Sequence, residues 1–225
     1  MFCSALRGAS GNTIGPEGAF FQSNIGANSI SRIDPDGTAS PFLGHGLRNP
    51  VGLIADGEGV LFVANCGGNS IVEVTGAGEA NVFATHPFFA CPNGIALDEE
   101  HNLYVSNFGN GDVLRVGWGG DVEKLAALPG NNNGHLVCHE GALYVVARGA
   151  HQIYKISLEG EVELFAGSGE RGKKDGPAFE ATFSYPNDLA FSPDGKILYV
   201  NENASISEPA NVLAPTRIRK IRIAD

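Results

Sequence analysis

The chain is poor in basic residues, in cysteine and in long apolar runs, and each shortage narrows what it can be. Lys and Arg number 15 against 25 Asp and Glu, a formal net charge of −10. A chain of that sign gains nothing by neutralising phosphates, which argues against nucleic acid as a partner. No apolar run approaches the ~18 residues a bilayer-spanning helix needs, so no membrane role is expected. The amino-terminal stretch MFCSALRGASGNTIGPEG lacks a basic start followed by an apolar block, so it does not read as a secretion signal. Four cysteines, Cys3, Cys66, Cys91 and Cys138, form no CxxC pair and show no metal-site spacing. That is too few for a disulfide scaffold, and reduced, partly buried thiols in a cytoplasmic protein are the expectation. No G-x-S-x-G occurs, and no Ser/His/Asp set stands out for nucleophilic catalysis.

Glycine, by contrast, is abundant at 31 of 225 residues, and apolar residues reach 43%. Short runs of Val, Ile, Leu, Phe and Tyr between glycine-rich turns argue for an all-β fold with a real core. Related phrases recur along the chain: NPVGLIADGEGVLFVANCGGNSIVEV from Asn49, CPNGIALDEEHNLYVSNFGNGDVLRV from Cys91, NNGHLVCHEGALYVVARGAHQIYKI from Asn132, and YPNDLAFSPDGKILYVNENASI from Tyr185. A shorter version, GPEGAFFQSNIGANSISRI, starts at Gly15. Gly94 follows Gly52 by 42 residues, Gly134 follows Gly94 by 40, and Asp188 follows Gly134 by 54. Each unit holds P-x-G with an apolar run, a polar turn, an L-Y-V run, a second turn and an alternating run. Strand-like runs such as EANVFA and EVELFA close the units. Four short strands per ~40 residues is the pattern of a propeller blade, which must stack on its neighbours to bury both faces. DPDG, DGEG and SPDG supply hairpin turns.

This phrasing resembles the NHL repeat and the SMP-30/gluconolactonase-like propellers, through PNGIALD, NLYVSN and PNDLAFSPDGKILYV. The resemblance runs from about Gly15 onward and implies an all-β, six-bladed type of propeller with four-stranded blades. Five repeats are recognised, starting near residues 15, 49, 91, 132 and 185. The first is shortened by about one strand. Residues 1–14 are expected to form an amino-terminal extension, 15–225 a single propeller domain, and 166–184 an inserted loop.

The residues before the repeated glycine are Glu17, Val51, Asn93, Asn133 and Asn187. Were the first strands to line a central channel, these side chains would ring its mouth. In the gluconolactonase-like enzymes that position carries metal ligands, Glu in the first blade, Asn in the third and fourth, Asp in the fifth. The resemblance therefore implies a Ca²⁺ or other divalent-cation site at Glu17, Asn93, Asn133 and Asn187. Glu17 or Asp188 would serve as the acid–base group of a lactone hydrolase, acting on a lactone or sugar-derived substrate. Hard cations want several oxygen ligands including a carboxylate, and a bound cation would polarise a lactone carbonyl. Asn before Gly is also an ordinary turn pair. The alternative is a non-catalytic NHL-type propeller that binds a protein or carbohydrate on one face.

Other features read more plainly. GSGERGKKDG, Gly167–Gly176, contains G-x-G-x-x-G and nearly a P-loop, but Lys174 stands where Ser or Thr must be, and Gly176 and Pro177 break any following helix. His135 lies one residue past Gly134 and reads as a strand histidine. The basic cluster TRIRKIRI, from Thr216, reads as a solvated strand.

Overall fold

The computed structural model describes residues 8–203 and 216–223. Among these, nineteen strands form five antiparallel sheets, each strand pairing with its neighbour in sequence. The first sheet is β1 (Ala9–Ile14), β2 (Phe20–Asn24), β3 (Ser29–Ile33) and β4 (Ala39–Leu43). The second is β5 (Pro50–Ala55), β6 (Leu61–Asn65), β7 (Ser70–Val74) and β8 (Ala80–Thr85). The third is β9 (Pro92–Leu97), β10 (Leu103–Asn107), β11 (Asp112–Val116) and β12 (Val122–Ala127). The fourth is β13 (Leu136–His139), β14 (Ala142–Ala147), β15 (Gln152–Ser157) and β16 (Val162–Ala166). The fifth has β17 (Asp188–Phe191), β18 (Ile197–Asn203) and β19 (Thr216–Arg222). The fold is all-β and of the propeller class, with five blades where the resemblance implied six.

The apolar periodicity explains the packing. In β6 every residue is buried, because both faces are covered. Leu61 and Val63 pack with Phe21, Ile30 and Leu43 of the first sheet. Their neighbours Phe62 and Ala64 point the other way and pack with Ile95, Leu103 and Val105 of the third. The same logic joins the fourth and fifth sheets, where Tyr144 and Val146 meet Leu189, Leu198 and Val200. Hairpin turns are set by aspartates. Asp56 Oδ1 accepts from the N–H groups of Glu58 and Val60, both at 2.9 Å, and Asp98 Oδ1 does the same for Glu100 and Asn102.

The chain forms two compact units, one of Met1–Asn107 with Leu114–Lys124, the other of Phe108–Val113 with Leu125–Asp225. Within each, the repeated glycine has a specific job. A Cβ on Gly11 would strike the Val51 carbonyl oxygen, on Gly52 that of Asn93, and on Gly134 that of Asn187. Its role is close approach between the first strands of adjacent sheets, with no left-handed turn involved. Hydrogen bonds cross the same seam: His135 N donates to Asn187 O at 2.7 Å, and the Ser23 hydroxyl donates to Val51 O.

This register corrects the reading of the first repeat. β1 lies inside the segment read as an extension, and Gly11 is the counterpart of Gly52. The first sheet is therefore complete with four strands. Gly15–Gly18 is the β1–β2 turn, matching Asp56–Gly59, so Glu17 corresponds to Glu58. The EG pair of a turn had stood in for the N-G pair of a strand entrance.

A second correction concerns cysteine. Cys66 and Cys91, 25 residues apart, are disulfide-bonded. The bond joins the turn after β6 to the residue that enters β9. It reinforces a repeated latch. Asn28, Asn69 and His151, each left-handed at φ 52, 47 and 57°, accept with a side chain from the entering N–H of Asn49, Cys91 and Tyr185 at 2.7, 2.8 and 3.3 Å. No helix among the described residues is long and apolar enough to cross a membrane.

Two outcomes follow for stability. Reducing Cys66–Cys91 reopens a loop worth about 3 kcal/mol in chain entropy, so calorimetry with and without dithiothreitol should show the melting temperature fall by roughly 6–12 °C. Alkylation before and after reduction should differ by two cysteines. Gly52→Ala forces its methyl against backbone that cannot yield, at about 2–3 kcal/mol, and the melting temperature should drop by roughly 4–12 °C.

Candidate functional site

Sheet topology sorts chemistry by end. In every sheet the turns from first to second strand and from third to fourth lie at one end; the other turns and the inter-sheet connectors lie at the opposite end. Carboxylates crowd the first: Asp34, Asp56, Asp98, Glu140, Glu159 and Asp194 among them. His45, His86, His151, Arg48, Arg148 and Arg171 all lie at the connector end.

Glu17 sits at the acidic end of the first sheet. It is 82% exposed and 3.7 Å from Arg32, a screened surface pair of little energetic weight. Asn93 is buried as the second residue of β9. Asn133 is fully buried, its Nδ2 donating to Gly111 O at 2.7 Å. Asn187 is half-buried, its N–H donating to Asn201 O at 3.0 Å. The matching positions of the first and second sheets hold Ser10 and Val51, so the five repeat-equivalent residues include no carboxylate. Asp188 Oδ1 accepts from Leu189 N at 2.8 Å. Asp188 lines a shallow 130 Å³ pocket with Ala190, Tyr199, Asn201 and Ile218, on the face of the fifth sheet turned away from the fourth. No group of three or more His, Cys, Asp or Glu side chains gathers as a metal centre among the described residues. Amides and a hydroxyl without a carboxylate suit a hard divalent cation poorly. His135 is buried and, contrary to the strand reading, sits just before β13, bonded through its backbone N and O.

A different cluster forms at the connector end of the fourth and fifth sheets, around Tyr185. The Arg148 guanidinium donates from Nη1 to Tyr185 O at 2.7 Å and lies 5.2 Å from the ring centroid. Arg171 lies 4.3 Å from the same centroid, and its Nε donates to Ser184 Oγ at 3.4 Å. The His151 ring meets Tyr185 edge-on at 4.8 Å. Burial lowers the His151 pKa, with Arg171 and Arg148 adding to the effect; burial likewise lowers that of Arg148. Beneath the cluster Glu202 is buried. It accepts from Ser184 N at 2.8 Å and from Arg217 and Arg219 at 3.2 and 3.0 Å. Arg219 also bonds Thr182 O, Lys174 O and Asp175, holding the inserted loop down. That loop contains no helix, as expected, and folds back through Gly167 N to Ala178 O and Gly172 N to Phe183 O.

Sequence reasoning passed over these residues, although they carry a signal. Arg148 stands where sister repeats have Cys66 and Phe108, just past a strand end at which Ala147 replaces their Asn65 and Asn107; His151 stands where they have Asn28 and Asn69, Tyr185 where they have Asn49 and Cys91. Departure from the repeat marks the site.

The stacked sheets, each with strands paired in sequence order, are those of a β-propeller. No protein-family model and no curated protein matches this sequence. Solved structures do. A streptogramin B lyase superposes with a TM-score of 0.67 at 17% identity, over 86% of this chain and 61% of that one. A gluconolactonase from Xanthomonas campestris gives 0.69 at 18%, over 85% and 68%. An auxiliary nutrient binding protein from Bacteroides thetaiotaomicron gives 0.73 at 14%, over 85% and 56%. The chain thus spans 61% of the lyase and 56% of the nutrient binding protein. At these identities the likeness is one of fold.

The His151 shift carries a signed pH dependence. Its folded pKa lies below the ordinary 6.5. The histidine's contribution is complete above that value and is lost as pH falls, because the unfolded chain takes up the proton first. Urea titrations from pH 7 to 5 should show stability falling, and His151→Asn should flatten that part of the slope.

Proposed function

We propose that this chain is a binding propeller that takes a small organic acid, of the sugar-acid class, at the connector end of its fourth and fifth sheets. One observation carries the reading. Arg148, Arg171 and His151 converge on the Tyr185 ring in a chain whose net charge is −10. A planar guanidinium held by stacking presents its donors to a carboxylate in a fixed fork, and an aromatic ring beside it suits the apolar face of a sugar. The likeness to a nutrient binding protein supports a binding role.

A metal-dependent lactone hydrolase is the second reading, favoured by the likeness to a gluconolactonase. It would place Ca²⁺ or another divalent cation at Glu17, Asn93, Asn133 and Asn187, with Glu17 or Asp188 moving the proton. The exposed turn position of Glu17 and the missing carboxylate at the equivalent strand positions weigh against it. The Cys66–Cys91 bond supports work in an oxidising compartment in place of the cytoplasm. Alkylating protein inside its native cells would decide: free Cys66 and Cys91 there would overturn that placement.

Calorimetric titration separates the two functions. Gluconate or glucuronate should bind, glucose should bind at least about tenfold more weakly, and Arg171→Ala should cost a similar factor without lowering the melting temperature. Equal affinity for acid and neutral sugar sinks the binding proposal. γ- and δ-lactones should not be hydrolysed above the spontaneous rate, with Ca²⁺ or with EDTA; metal-dependent turnover would establish the hydrolase.

A further inference from the structure

Four of the five sheets have a fourth strand; among the described residues the fifth ends at β19, which pairs with β18 alone. The sister sheets indicate what that edge is made to meet. In the fourth sheet Lys155 lies opposite Tyr144 on one side and opposite Glu163 of the fourth strand on the other. Its ammonium sits 5.8 Å from the Tyr144 centroid. In the third sheet Arg115, eleven residues past Tyr104 as Lys155 is past Tyr144, is ion-paired with fourth-strand Glu123 at 3.2 Å. The second sheet has Glu73 at this place and Asn81 opposite; the first has Arg32 with Ser40 opposite, its guanidinium paired instead with Asp34 in the turn after its own strand at 2.9 Å. The fifth sheet repeats the basic half. Lys220 lies opposite Tyr199, its ammonium 5.7 Å from that ring.

The rest of the edge fits the same register. Superposed on the fourth sheet, Ile221 takes the place of Ile156, Arg219 of Tyr154 and Ile218 of Ile153. There the opposing residues are Val162, Leu164 and Ala166. Beside β19 runs a groove of about 360 Å³, floored by Ala166, Ala178, Ala181 and Phe183 and walled by Arg219–Arg222. Lys173 and Lys174 of the inserted loop and Arg222 of β19 are exposed around it.

We propose that β19 is a docking edge for an extended, acidic partner peptide, which adds as an antiparallel fourth strand with a Glu or Asp opposite Lys220 and apolar residues at alternate positions. Backbone N–H and C=O groups of β19 supply affinity and the bases supply register and selectivity, as in strand addition generally. Bases on an edge strand also deter pairing with apolar strands. The two roles agree: such an edge refuses an apolar strand and accepts an acidic one. This surface is distinct from the Tyr185 cluster and does not depend on it.

The test uses the full chain and a fluorescent peptide of sequence GEVELFAG, the protein's own Gly160–Gly167, read by anisotropy. Saturable binding is expected, weakened about tenfold by Lys220→Glu and recovered on that variant by the peptide with Glu163→Lys. Backbone amides of Thr216–Arg222 should gain protection from hydrogen exchange when the peptide is added. Absence of saturable binding overturns the proposal, as does affinity indifferent to the charge exchange. So does protection of those amides in the free chain, which would mean that another segment or a second copy already sits there.

Discussion

The first strands of neighbouring sheets meet backbone to backbone. At Gly11, Gly52 and Gly134 the carbonyl oxygen of the next first strand lies where a Cβ would be. Strands so close can then share hydrogen bonds across the seam, as His135 and Asn187 do. Side chains on either face interlock only because that spacing is held. Leu61 and Phe62 can therefore belong to two different cores while adjacent in sequence.

Because the repeat fixes the scaffold, function is free to occupy its exceptions. The latch formed by asparagine in the first sheets becomes His151 before the fifth, and the entering residue becomes Tyr185. Replacing a short amide by an imidazole, and the residue just past the strand end, Cys66 or Phe108 in sister repeats, by Arg148, turns a structural fastening into a cationic and aromatic surface. The inserted loop completes it with Arg171. Below it, buried Glu202 is paired with Arg217 and Arg219, so that layer holds no uncompensated carboxylate.

Much of the architecture was legible. Short alternating runs, L-Y-V strands and Asp-Gly turns are local signals, and they located β5–β18 and the strand character of TRIRKIR. The lack of a helix after GSGERGKKDG was legible from Gly176 and Pro177. The first repeat was misaligned because EG in a turn looks like NG at a strand entrance, and only pairing of β1 with β2 distinguishes them. The disulfide was not legible: Cys66 and Cys91 share no motif and meet through sheet stacking. Nor was the Tyr185 cluster, assembled from residues up to 37 positions apart.

By itself the sequence determined the repeat, the strand and turn periodicity, and hence the propeller class, since these depend on residues within a few positions of each other. Tertiary structure decided which glycine is equivalent to which, and so sent Glu17 to an exposed turn, away from the positions of Asn93 and Asn133. It also brought Arg148, His151, Arg171 and Tyr185 into one group. Burial, stacking and charge balance are properties of sheets packed in space, and no single stretch of chain contains them.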